Sequence, residues 1–351
     1  NMNNAGIMGQ DSVQAVPYAG RIFWLWGDTN IPHYPLGNFR TTSAFTDKNI
    51  QPEQGIAFDY FTDDSAPSKV RSMLPMDEPG AVWLFGLLTI PDKDGTEVLL
   101  AHYSRHKSLA SYEEHGIARF DPQQGRFVVV KKLDLADKWR FMRGHAVRDG
   151  DHYYFSDGFL YTRVQADLAT LLDPARYEAL RFDEATSSWK WHSNEPPTTQ
   201  TDETKLLLQG KMKAAQARYP LRDIDSDKPV KLHGGSITWN AFRKRWIMIG
   251  LQFGDKDAPS HLGEVWYAEA KQPDGPWPRA VKVASHPRYS YYNPVHHTFL
   301  DADGGRIIYF EGTYSLEFSG NPLAPAHYDY NQLMYRLDLD DPKLVPARVE
   351  E

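Results

Sequence analysis

The chain has 351 residues with 41% apolar and 24% charged, ordinary globular proportions that exclude wholesale disorder. A formal net charge of -7 argues against a nucleic-acid partner, because phosphate binding needs a basic field. No run approaches the ~18 apolar residues of a membrane span, and zero Cys excludes disulfides, thiolate metal sites and a cysteine nucleophile. Aromatics are abundant at 13%, a composition suited both to pleated strands and to stacking on sugar rings. The sequence starts at Asn1 rather than Met and lacks Cys, so a removed leader and a secreted or periplasmic location are expected.

In chain order, five segments each write an apolar strand, a short Gly or Asp turn and a second aromatic strand. They are residues 12–28, 81–105, 144–158, 234–254 and 294–315. Behind each hairpin an alternating segment predicts a third strand, at 55–61, 115–121, 177–183, 263–270 and 331–339. Several of these continue through an acidic turn into a fourth strand. Four antiparallel strands repeated five times predict an all-β fold, a five-bladed β-propeller forming a single domain over 1–351. Residues 164–222 break the pattern. Helical spacing around Leu206, Leu207 and Ala214, with Thr201 as N-cap and Pro220 past the end, predicts a helical insertion in the third blade.

The topology has a consequence for function. Strand direction reverses at each turn, so the start of each inner strand and the end of its partner lie on one face. Residues at those places in all five blades converge on one channel mouth. Blade one supplies Asp11 and Asp28; blade two supplies Glu78, Arg105 and His106. Arg143, His145 and Asp157 come from blade three, and His233, Gln252 and Glu264 from blade four. Asn293, His296 and Glu311 come from blade five. Five of the carboxylates also have a plainer explanation: Asp28 as an Asx-turn cap, Asp11 as a similar turn, Asp157 as a turn-forming Asp-Gly, Glu264 as a strand-edge charge, Glu311 as an ion-pair partner of Arg306 or Arg288. His296 and His297 are adjacent, so on a strand at most one faces the channel. Imidazoles of His145 and His233 could meet near the axis and hold a divalent metal or a sugar hydroxyl, although no HxH or HExxH spacing is present.

The opening segment GQDSVQAVPYAGRIFWLWGDT at 9–29 resembles that of the five-bladed propeller glycosidases, the group of arabinanases and β-xylosidases. It is most similar to the propeller family that includes endo-D-arabinanases. The resemblance implies that Asp11 and Asp28 form a carboxylate pair at the active-site mouth. It covers about twenty residues, and the chain departs from it with Ser12 and Val13 where such families often place Gly-Tyr. The phrases YSYYNPVHH at 289–297, YFEGTYS at 309–315 and HYDYNQLMYRLDL at 327–339 are rich in Tyr, Asn and His, side chains suited to a saccharide.

Three functions fit these residues. Glycoside hydrolysis needs two carboxyls flanking the scissile bond and no cofactor. Asp28 and Glu311 are the first pair from blade position, with Asp11 tuning or orienting, while the resemblance gives Asp11 a direct part. Substrate contacts are expected from His106, His145, His233, Arg143, Asn293, His296 and Asp157, with Trp26, Tyr291 and Tyr292 as stacking platforms for an oligo- or polysaccharide. A polysaccharide lyase would instead use His and Arg, with or without a metal. A propeller that only binds carbohydrate is the third.

Overall fold

A computed structural model describes residues 4–31, 41–108, 111–254, 261–319, 321–322 and 329–349. Five main sheets follow one another along the chain. Blade I holds Gln14–Tyr18, Arg21–Trp26, Thr42–Thr46 and Asp59–Tyr60, and blade II holds Ala81–Pro91, Glu97–Ser108, Ser111–Asp121 and Arg126–Leu133. Blade III runs through Val147–Asp149, His152–Phe155, Thr162–Gln165, Glu178–Asp183 and Ser188–His192. Blade IV runs through Leu232–Asn240, Arg245–Gln252, Glu264–Ala270 and Arg279–Ser285, with Arg222–Asp223 added in parallel at its outer edge. Blade V comprises Ser290–His296, Ile307–Ser315 and Asn331–Asp338. No helix among the described residues is long and apolar enough to cross a membrane.

Period-two alternation makes these sheets into a ring, because each second strand is apolar on both faces and each face has its own neighbour. In blade I, Phe23 and Leu25 pack on Leu84, Leu99 and Tyr103 of blade II. Ile22, Trp24 and Trp26 on the other face pack on Val295 of blade V. Leu88 and Leu100 of blade II meet Tyr153 and Phe155 of blade III. Tyr154 and Phe159 of blade III meet Met248 and Trp266 of blade IV. Ile249 and Tyr267 of blade IV meet Ile308 and Phe310 of blade V. Five interfaces, each linking consecutive blades and the last returning to the first, close the five-bladed propeller.

The first and fifth blades are also tied by polar contacts. Gln10 N donates to Tyr330 O at 3.0 Å, Ser12 N to Thr313 Oγ1 at 2.9 Å, and Asn293 Nδ2 to Ser12 Oγ at 2.6 Å. Gln332 Nε2 adds a bond to Gln10 O at 3.0 Å. Residues far apart in sequence therefore fix the segment that carries Asp11.

All five predicted hairpins are the first two strands of a blade, and the segments at 115–121, 263–270 and 331–339 are third strands. The segments at 55–61 and 177–183 instead contribute fourth strands. The third strand of blade I is Thr42–Thr46, a polar run whose buried Thr42 bonds Thr29 Oγ1 and Gln10 Nε2, so it shows no hydrophobic alternation. Within 164–222, a one-turn helix Leu168–Leu171 lies inside blade III and a longer one, Gln200–Leu208, between blades III and IV, while 178–183 and 188–192 are strands. Thr199, not Thr201, caps the longer helix, through a reciprocal box with Asp202. The helix stops at Gln209, before left-handed Gly210, rather than running on toward Pro220.

Candidate active site

One mouth of the channel opens into a cleft of about 800 Å³, within the range of small-molecule sites. Of the residues expected there, Asp11, Asp28, His106, Arg143, His145, Asp157, His233, Tyr292 and Asn293 line it. Distant strand ends converge as the blade topology demands.

Asp11 is the centre of the site. Its backbone is locked to the second strand of its blade: Asp11 N donates to Asp28 O at 3.1 Å and Gly27 N donates to Asp11 O at 2.8 Å. Two phenols of blade V donate to one carboxylate oxygen, Tyr330 to Oδ2 at 2.9 Å and Tyr292 to Oδ2 at 3.0 Å. The other oxygen, Oδ1, is buried without a hydrogen-bond partner. It lies so close to the main chain that a Cβ on residue 27 would stand 2.3 Å away, so any side chain there would push the carboxylate aside. Burial and then the neighbouring Asp28 charge push the Asp11 carboxyl from 3.8 up to about 7, against the two phenols, which pull it down.

Asp28 stands beside it. Its Oδ1 accepts a hydrogen bond from Trp83 Nε1 at 2.7 Å, which fixes the carboxylate on the blade II side of the mouth. Across the cleft, Arg143 Nη2 pairs with Asp157 Oδ2 at 3.1 Å. The histidines are held neutral. Desolvation, with His297 adding to it and Asp157 opposing, pushes His145 down to about 4. Desolvation also lowers His233 and His106. The His106 ring sits between Trp83 at 4.4 Å and Tyr112 at 4.1 Å, with Nε2 against Ser104 Oγ at 2.7 Å. Among the described residues no three His, Asp or Glu side chains gather to hold a metal ion.

Eight expected residues do not line the cleft: Glu311, His296, Trp26, Tyr291, Glu264, Gln252, Glu78 and Arg105. Glu311 is buried in mid-strand opposite Val295 and Met334, where its Oε1 pairs with His297 Nε2 at 2.6 Å. In blade V the rim position lies six residues beyond Glu311. Asp28 and Asp157 each lie two residues beyond the end of a second strand, and the equivalent place after Ser315 belongs to Glu317, which does line the cleft. Asp28 and Glu311 are therefore not a pair across the mouth. His296 is buried between Thr238 Oγ1 at 2.6 Å and Asp301 Oδ1 at 2.7 Å. Trp26 is buried against Trp24 and Phe58, since its strand face is an interblade face. Tyr291 is fully buried and donates to Leu333 O at 2.6 Å. Neither ring can stack on a ligand in the cleft. Glu264 is likewise structural, paired with Lys282, and Gln252 accepts from Trp266 Nε1.

Besides Tyr292, the aromatic rings lining the cleft are Trp83, Phe85, Tyr112, Phe141, Phe318 and Tyr330. Tyr112 and Phe318 are about half exposed, at 47% and 52%, so each keeps a free face. Trp83 and Phe85 alternate on the blade II inner strand, a signal open to the same strand-start argument that found Asp11. Tyr330 lies inside the phrase at 327–339 already marked as suited to a saccharide; residues 327 and 328 of that phrase fall outside the described residues.

No protein-family model matches the chain, and no curated protein matches it. Solved structures similar in course include a candidate exo-β-1,3-galactanase of Bifidobacterium bifidum S17, 13% identical, with 95% of this chain and 89% of that one covered and a TM-score of 0.49. A GH43_1 enzyme of Xanthomonas citri complexed with xylose is 10% identical, with coverages of 94% and 87% and a TM-score of 0.47. An exo-1,5-α-L-arabinanase from a bovine ruminal metagenomic library is 11% identical, covering 96% of each chain, with a TM-score of 0.46.

Proposed function

We propose that this chain is a glycoside hydrolase that uses Asp11 and Asp28 as its carboxyl pair. The observation that carries the reading is Asp11: a carboxyl pushed up to about 7, beside a second carboxyl, in an aromatic-walled cleft. Two carboxyls with separated tendencies to hold a proton are what cleavage of a glycosidic bond requires. Asp11 retains a proton near neutrality and gives it to the departing sugar oxygen from Oδ2, the oxygen that Tyr292 and Tyr330 hold, since Oδ1 is buried. Asp28, fixed by Trp83, faces the anomeric carbon, either taking a proton from the attacking water or adding to that carbon itself. The neutral His145 and His233 and the amide of Asn293 are placed to bond sugar hydroxyls, while Tyr112 and Phe318 offer ring faces to the sugar.

The test is release of reducing ends from a panel of neutral oligosaccharides by the wild type, Asp11→Asn and Asp28→Asn. Turnover by the wild type and a loss of about 10²–10⁴-fold in each variant is the expected result. Binding without turnover by the wild type would leave a carbohydrate-binding protein instead.

A β-elimination reading draws on Arg143 and the neutral histidines in the same cleft. It gives an unsaturated, ultraviolet-absorbing product from a uronate chain and would survive Asp11→Asn. Arg143 is already occupied by Asp157, which weighs against it.

A further inference from the structure

The charges in the cleft are distributed unevenly. Asp11, Asp28, Asp157 and Glu317 line it, and Arg143 is the one arginine or lysine among its described lining residues. That cation is spoken for. Its Nη2 lies 3.1 Å from Asp157 Oδ2, with both side chains open to the cleft at 42% and 48% exposure. Gly144 bridges Ser156 in parallel, which brings the segments carrying Arg143 and Asp157 together, and the two side chains then reach one another across the bridge. Position 144 has a φ of +51, and a Cβ there would stand 2.6 Å from Asp157 Oδ1. Glycine at 144 thus leaves room for the Asp157 carboxylate beside the Arg143 guanidinium. The imidazoles of His145 and His233 add no compensating charge, because desolvation keeps them neutral.

We infer that the cleft selects uncharged saccharides and rejects chains carrying carboxylate, sulfate or phosphate, and that Asp157 is the specificity-determining residue because it occupies Arg143. The inference rests on the glycosidase reading for its ligand class. A uronate entering the cleft meets the carboxylate of Asp28, whose partner Trp83 is a neutral donor. To reach the guanidinium it must displace a carboxylate already tethered there. An exposed pair is weak against water, but a tethered partner has a large advantage over one arriving from solution. A sugar hydroxyl needs no free cation and meets no such barrier.

The experiment is calorimetric binding at pH 7.5 of neutral xylo-, arabino- and galacto-oligosaccharides against oligogalacturonate of equal length. At least one neutral series should bind the wild type about tenfold or more tightly than the uronate chain. Asp157→Asn should narrow that ratio by about tenfold by freeing Arg143, and adding Arg143→Gln should restore it. Equal or tighter binding of the uronate by the wild type overturns the inference, and so does an unchanged ratio in a folded Asp157→Asn protein. Failure of every chain to bind overturns it as well. The wild-type ratio decides the matter alone should the variant not fold. Because binding is read and not turnover, a neutral preference without cleavage sinks the hydrolase reading while this one stands.

Discussion

The hydroxyl of Tyr330 donates to Asp11 Oδ2 at 2.9 Å across 319 positions of sequence, so the last blade holds the acid carried by the first. Tyr292, also of blade V, donates to the same oxygen. Closing the ring and assembling the acid are thus one event, since Tyr330 O also accepts Gln10 N. A donor to the ionised carboxylate favours ionisation and opposes the upward push of burial.

Replacing Tyr330 by Phe removes one such donor. The Asp11 carboxyl should rise further, moving the corresponding limb of the kcat/KM profile upward by about half to one pH unit. A pH series on oligosaccharide cleavage reads this. A lower rate with an unmoved limb would make Tyr330 merely structural.

Asp11→Asn should remove turnover yet stabilise the fold at high pH. Because the folded carboxyl titrates near 7 and the unfolded one near 3.8, its contribution is fully present below 3.8 and lost as pH rises through about 7. The amide cannot ionise, so relative to wild type the variant should gain up to about 4 kcal/mol on going from pH 4 to pH 8. Urea unfolding at the two pH values measures the gain. No pH dependence in the difference would argue that Asp11 is ionised throughout.

Glu311→Gln should cost stability rather than chemistry. Its carboxylate is buried against His297, and loss of one partner of a buried pair costs about 3–5 kcal/mol at most. Thermal unfolding should fall by several degrees while kcat stays within about threefold. A loss of kcat by orders of magnitude without destabilisation would return Glu311 to the reaction.

Tyr112→Ala and Phe318→Ala should each raise KM by about 2- to 15-fold with little change in kcat, the effect of losing about 0.5–1.5 kcal/mol of ring contact. Trp26→Ala, by contrast, should cost about 3–5 kcal/mol of stability, because that ring fills the interface between blades I and V. Steady-state kinetics and denaturant unfolding separate the two classes. Equal stability losses in all three would place Tyr112 and Phe318 in the core instead.

Much of the architecture was legible because it is periodic. Alternating apolar runs punctuated by turn residues, five times over, specify hairpins locally, and hairpins of that number can bury both faces only as a ring. The position of Asp11, Asp28, Asp157, His145 and His233 at one mouth followed from strand polarity alone. Strand length was the quantity out of reach. Ile307–Ser315 runs four residues past Glu311, and that extension moved the acid from the rim into the core and left Glu317 in its place. Nor does the sequence distinguish an aromatic ring facing a neighbouring blade from one facing solvent, so Trp26 and Tyr291 read like Trp83 and Phe318.

By itself, then, the sequence determined the repeat, the direction of each strand and part of the set of polar residues gathered at the rim, because these depend on neighbours along the chain. Tertiary structure alone decided which oxygen of Asp11 the phenols hold, which carboxylate takes Arg143, and which rings remain free. Those outcomes turn on burial and on ångström-scale contacts between blades up to 319 residues apart, and no local pattern encodes them.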